Sequence, residues 1–410
     1  MKKFFILIIL SLIYGCSSDD SVDGVISVTV DSLSHDTVTI SWQYTAGDNV
    51  VYEIVLDGVE IADDYSGNQY EFTDLMPGTA YSGKVFAKPQ NGNIAFADFT
   101  FTTEFFNVSI TNQNDVNNFN LTSINGTLFI TGNEVTDISG LSEIISVGGL
   151  VVSNTGLQSL NGLENLSQFY NGTGRVYLSD NAQLSDVTAL ANLSNVTGTL
   201  VLNNNTVLTD FTGLSVLPGG SLEIRESPIT DFSYFSNLQD LNRLLFHDMP
   251  NITSLADFSG LTNLNLLVLE ELPSLQSFSG LETITEYKQV TLKFLASITD
   301  FSGFSSVTRI DFLDIYRMDG ITSLSGFDNL TTANDIFIFQ ADQMTSLDGT
   351  SLTGNNVAES RLRIGFNNSL TDYCGLNAWF NNVDFEFFWI SSNAYNPDLT
   401  EVRDPVTCMQ

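Results

Sequence analysis

The sequence predicts an all-β-dominated protein. A β-sandwich comes first, and a right-handed β-solenoid with a parallel sheet along one face and little helix follows it. Three observations predict this. A short apolar-x-apolar core recurs thirteen times, starting at Val108, Leu128, Leu150, Val176, Leu200, Leu222, Leu244, Leu267, Val290, Leu313, Ile336, Leu362 and Phe388, in steps of 20 to 26 residues. Ahead of it lie runs that alternate at period 2, separated by the turn pairs Asp57-Gly58, Pro77-Gly78 and Asn91-Gly92. Few of the recurring units hold a 3.6-period stretch long enough for a helix.

The unit is complete between Gly260 and Leu281, where Leu267-Val268-Leu269 is followed by Leu275 and a Phe-Ser-Gly-Leu close. Such a unit cannot bury its own apolar side chains, so neighbouring coils must stack and share a core. Period 2 sends Leu267 and Leu269 to one face and Val268 to the other. The second half closes the coil with Thr-Asp-Phe-Ser-Gly-Leu or a variant, at 136–141, 209–214 and 299–304. Gly140, Gly162, Gly213, Gly260, Gly280, Gly303 and Gly326 occupy matching turn positions, where a tight bend favours a residue without Cβ. A period in the low twenties with this leucine pattern resembles the leucine-rich repeats. Turns, short strands or 3₁₀ segments are expected opposite the sheet.

At 410 residues the chain is long enough for two or three domains. Its 48 acidic and 14 basic residues give a formal charge of −34, which argues against nucleic acid or an anionic membrane surface as partner. No D-x-[DN]-x-[DN]-G loop supports calcium binding. Residues 1–15 pair two lysines with an apolar run of export-signal length, too short to span a bilayer comfortably. Cys16 follows at once. The arrangement resembles the lipobox of bacterial lipoproteins, and Ser17-Ser18-Asp19-Asp20 resembles the acidic export signal of Bacteroidota-type surface lipoproteins. The resemblance implies lipidation of Cys16, an acidic tether over 16–24, and an outer-membrane protein facing the cell exterior, held to the membrane by lipid alone.

Residues 25–104 are expected to form the sandwich. Trp42, Tyr52 and the run Leu75-Met-Pro77-Gly-Thr79-Ala-Tyr81 resemble a fibronectin type III domain. That resemblance implies a tyrosine corner, with the Tyr81 hydroxyl tied to the backbone, and a spacer or adhesion role. Asp31-Ser-Leu and Asp36-Thr-Val resemble short Bacteroidota O-glycosylation sites. The solenoid is expected over 105–373, and its entry, Asn107 to Phe119 then Ile124 to Ile130, resembles the receptor L-domain-like branch of leucine-rich repeats. In that branch a small helix, here Asp115 to Phe119, caps the open end. Asn133, Asn181 and Asn205 match the regular asparagine of many such repeats. Residues 374–410 resemble the closing cap of bacterial surface proteins of this kind. With Cys16 lipidated, Cys374 and Cys408 remain, in an oxidising compartment where a disulfide is expected.

Catalytic chemistry has few candidates, and no catalytic residue, metal site or cofactor is expected. His35 and His247 are the only histidines, they lie in different domains, and no G-x-S-x-G accompanies them. His247 reads as a solvent-facing sheet residue. Glu270 and Glu271, adjacent on a strand, are expected on opposite faces and so unable to share a site. The sequons at Asn107, Asn165, Asn192, Asn251 and Asn329 read as polar turn residues.

The alternation also says which side chains leave the sheet: those one before, one after and three after each anchor. Early coils present mixed residues such as Thr127, Phe129 and Thr131, or Ser221, Glu223 and Arg225. Four late coils present Phe312, Tyr316, Phe337, Phe339, Arg361, Arg363, Phe387 and Trp389. This is the expected ligand-binding face, because exposed apolar patches rich in Trp, Tyr and Arg mark interaction sites. The expected function is non-enzymatic adhesion or recognition of a protein or glycan. The alternative is a structural or assembly subunit whose solenoid packs on a partner in an outer-membrane complex.

Overall fold

The computed structural model describes residues 24–46, 49–170, 174–193, 198–210, 212, 214, 219–353 and 360–409. Cys16 and the stretch expected to be an export signal, 1–15, lie outside these residues. Two compact units divide the chain, Met1–Phe105 and Phe106–Gln410. Among the described residues no helix is long and apolar enough to cross a membrane.

In the first unit, two antiparallel sheets share one apolar core. One sheet orders β1 (Ile26–Leu33), β2 (Val38–Tyr44) and β5 (Gln69–Phe72) as β1-β2-β5. The other orders β3 (Val50–Leu56), β4 (Val59–Tyr65), β6 (Ala80–Pro89) and β7 (Ala95–Thr102) as β4-β3-β6-β7. Alternation decides what is inside: Val38, Ile40 and Trp42 of β2 are buried, with Ile54, Val85 and Phe99 opposite. Asp57 and Gly58 both take positive φ, as a tight hairpin between β3 and β4 requires. The Tyr81 hydroxyl accepts a hydrogen bond from the Met76 N–H at 2.8 Å, tying the start of β6 to the preceding loop.

The second unit is a solenoid whose strands all pair in parallel. They are β8 (Val108–Ile110), β9 (Ser123–Thr131), β10 (Ser146–Ser153), β11 (Gln168–Phe169), β12 (Arg175–Ser179), β13 (Thr199–Asn203), β14 (Ser221–Arg225), β15 (Asp240–His247), β16 (Asn263–Glu270), β17 (Glu286–Lys293), β18 (Arg309–Tyr316), β19 (Thr332–Phe339), β20 (Ser360–Gly365) and β21 (Phe385–Ser391). They follow one another in chain order across the sheet, except that β11 lies off this path and, among the described residues, pairs with β10 alone. All thirteen sequence anchors stand in one row, from Val108 opposite Leu128 to Leu362 opposite Phe388. The inward leucines form one continuous core, while Phe388 in the last strand is only half-buried against it. Short 3₁₀ turns such as Ser139–Leu141, Ala256–Phe258 and Ser302–Phe304 lie on the segments that return to the sheet.

Two ladders stitch the coils. The residue four past each anchor from Leu150 to Phe388 is non-glycine yet left-handed, with φ between 48° and 62°: Asn154, Asp180, Asn204, Glu226, Asp248, Glu271, Phe294, Arg317, Gln340, Phe366 and Ser392. A left-handed conformation costs an L-residue roughly 1–2 kcal/mol. In all of them but Ser392, which follows the last strand, it is held because the N–H of the same residue donates to the carbonyl that closes the next strand, as in Glu271 to Lys293, Phe294 to Tyr316 and Arg317 to Phe339, each at 3.0 Å. One residue further on, Asn181, Asn205 and Asn367 are buried, and their side-chain amides bridge successive coils: Asn181 donates to Val152 O at 2.9 Å and accepts from Thr155 N–H at 3.1 Å. In the middle coils Met249, Leu272, Leu295 and Met318 occupy this position and join the core instead.

The first helix, α1 (Gln113–Asn117), lies two residues before the expected Asp115 to Phe119. Asn112 is the reason: its side chain caps the helix by accepting from the Asn114 and Asp115 N–H groups. At the other end, residues 374–410 supply the last strand as well as closing elements, so the solenoid runs further than the expected 105–373. Helices α2 (Asn377–Asn382) and α3 (Leu399–Arg403) cover the final coil, and Trp379 and Phe380 are wholly buried there. Asp398 and Glu401 form a capping box that starts α3. The Cys374–Cys408 disulfide ties the segment shut, with Cα atoms 5.1 Å apart.

Three expected turn asparagines link coils through their side-chain amides: Asn165 donates to Ser142 O, Asn192 to Glu164 O and Asn329 to Ser305 O. Gly280 and Gly326 show why such turns exclude side chains. Both have φ near 110°, and a Cβ at Gly280 would come 2.1 Å from the Leu255 carbonyl oxygen.

Candidate functional site

The anchor row decides which side chains leave the core, and the late coils put aromatics there. Phe312 and Tyr316 on β18, Phe337 and Phe339 on β19, and Trp389 on β21 are half-buried, whereas Phe387 is exposed. None of them belongs to the buried apolar core under the sheet. Four adjacent strands make a surface about 15 Å across.

The side chains are ordered by one another. Phe312 meets Phe337 edge-on with ring centroids 5.1 Å apart. Trp389 stacks on Phe339 at 5.9 Å, although a whole strand separates them. Gly365 makes that possible: it lies between Phe339 and Ser391 in the ladder, and a Cβ there would come 2.4 Å from the indole. The Arg363 guanidinium sits 5.1 Å from the Phe337 ring centre and 4.7 Å from that of Phe387. No carboxylate among the described residues pairs with it, so its charge faces the solvent over two aromatic faces. Arg361 is engaged: its Nε donates to Asp335 Oδ2 at 3.1 Å and its backbone N–H to Oδ1 at 3.0 Å. The side-chain hydrogen bond to Asp335, and the charge of that carboxylate, hold the Arg361 guanidinium still more firmly protonated than usual.

Sequence reasoning missed the flank of this surface. Phe294, Arg317 and Phe366 occupy the left-handed position four past their anchors. Phe294 meets Tyr316 edge-on at 5.3 Å, and Arg317 lies 5.4 Å from the Phe294 ring centre. Phe366 is half exposed and packs 6.3 Å from Trp389. Bulky side chains are rare at positive φ. Only the Asn and Asp that fill the same position in earlier coils signal the turn in the sequence.

The expected separation of Glu270 and Glu271 is overturned. Both carboxylates and the His247 ring present ligand atoms within 4.8 Å of one another. The alternation rule fails because β16 ends at Glu270 and Glu271 is already left-handed, with φ 56°. His247 keeps its place in the outward row beside Glu270.

Comparison of the chain with known protein families and with curated proteins gives no match.

Proposed function

We propose that this is a non-enzymatic cell-surface lipoprotein that recognises a protein or glycan through the late-coil face of a leucine-rich-repeat solenoid. In this reading Cys16 carries the lipid, and a fibronectin type III domain comes between it and the solenoid along the chain. The hydrogen bond from Met76 to the Tyr81 hydroxyl, as in a tyrosine corner, supports the identity of the first domain. The single row of leucine-type anchors and the buried asparagine bridges support that of the second.

One observation carries the binding assignment: six aromatic side chains stand outside the core on three of four adjacent strands, and Arg363, on the fourth, lies over two of them with no carboxylate partner among the described residues. Rigid aromatic and arginine side chains contribute large contact area for little lost conformational entropy, which is why they dominate binding hot spots. Flat ring faces beside a guanidinium suit a sugar ring or an acidic, aromatic-seeking protein loop.

Trp389 makes the test direct. The other two tryptophans, Trp42 and Trp379, are buried at 2% and 0% exposure. A glycan and protein array probed with the full chain is expected to yield binders that shift or quench Trp389 emission. Binders that leave this emission unaltered, and survive loss of Trp389, would place recognition elsewhere.

A further inference from the structure

His247 closes β15 and Glu270 closes β16, side by side in the outward row of the ladder. Glu271 follows in the left-handed turn, fixed by its N–H bond to Lys293 O at 3.0 Å. This turn, rather than the strand, sets the direction of the second carboxylate. One ring nitrogen and one oxygen from each glutamate therefore lie within 4.8 Å of one another.

Neither carboxylate has an ion-pair partner among the described residues, although basic residues are close in the ladder. Lys293 is the register neighbour of Glu270, yet it pairs with Asp314 at 3.0 Å. Arg225 is the register neighbour of His247, and its charge is directed to Glu223 at 4.0 Å. The ring supplies an independent sign: His247 Nδ1 is buried and has no hydrogen-bond partner among the described residues. A buried nitrogen left unpaired costs roughly 1–3 kcal/mol. A water or an ion is one way in which such an orphan is satisfied.

We propose that His247, Glu270 and Glu271 bind a divalent cation of the zinc class. The donor set selects it, because imidazole nitrogen favours zinc and its transition-metal neighbours, whereas calcium takes six to eight oxygens. Ligands about 2.1 Å from a tetrahedral ion stand about 3.4 Å apart. The three ligand atoms, within 4.8 Å of one another, would have to draw together by up to about 1.4 Å to reach that spacing. Three protein ligands leave one position open, and with Glu271 exposed it faces solvent.

Zinc chloride titrated calorimetrically into the chelator-stripped full chain tests this in a non-coordinating buffer. One saturable site above the weak uptake of an acidic surface is expected, with a rise in thermal midpoint as zinc saturates it. His247→Ala and the pair Glu270→Gln/Glu271→Gln should each weaken that site at least tenfold and abolish the thermal shift, with an unchanged circular dichroism spectrum. Zinc uptake without a saturable site, or equal zinc affinity in the variants, overturns the site. Calcium bound there as tightly as zinc overturns the choice of cation.

Discussion

Removing Trp389 and Phe337 together separates a binding face from a core. Trp389 packs on Phe339 and Phe366, and Phe337 on Phe312 and the Arg363 guanidinium. At about 0.5 kcal/mol for each of these partly solvated contacts, Trp389→Ser/Phe337→Ser costs about 2 kcal/mol of stability. The anchors of the neighbouring coils give the contrast. Leu313 and Ile336 are 1% and 0% exposed, and truncating a buried aliphatic side chain to alanine costs about 2–5 kcal/mol each. Urea unfolding followed by circular dichroism should therefore show the aromatic pair at half the loss of Leu313→Ala/Ile336→Ala or less. Binding behaves in the opposite way. A hot-spot residue contributes about 2 kcal/mol or more, so the aromatic variant should bind any array-selected ligand at least about thirtyfold more weakly. Two results refute the reasoning: a stability loss equal to that of the core pair, or undiminished binding by the folded aromatic variant.

Gly365→Ala should push the indole off Phe339, because the new Cβ would otherwise stand 2.4 Å from it. Acrylamide quenching of Trp389 is expected to rise while stability falls by only about 1 kcal/mol, and unchanged quenching would count against the stacked arrangement. Breaking the disulfide with Cys374→Ser/Cys408→Ser frees a segment spanning 34 positions, worth roughly 3–4 kcal/mol in the chain-entropy model; limited proteolysis should then cut the segment after β21 first. Cys16→Ser is expected to release the exported chain into the soluble fraction, and a variant that stays membrane-bound and still incorporates palmitate excludes the lipid anchor.

How much was legible in the sequence follows from which force sets each position. The anchors were legible because alternation at period 2 reports directly on burial, and one row of thirteen residues is its consequence. The outward aromatics were legible by the same rule, read from the other face. Their partnerships were not, since Trp389 reaches Phe339 across the space left by Gly365, and no spacing along one strand encodes a contact with the next strand but one. Alternation ends where the strand ends. At the fourth residue past each anchor from Leu150 to Leu362 the backbone is set by a hydrogen bond to the next coil, whatever the side chain. Asn154, Asp180, Asn204 and Asp248 suit that conformation and hint at it, whereas Phe294, Arg317 and Phe366 hide it. Every revision of the outward face falls at this position. It adds Phe294, Arg317 and Phe366 to the aromatic surface, and it brings Glu271 to the same side as Glu270 and His247. The left-handed turn thus gives the solenoid a second outward column, beside the one that strand alternation provides. Its side chains are free to vary because its conformation does not depend on them.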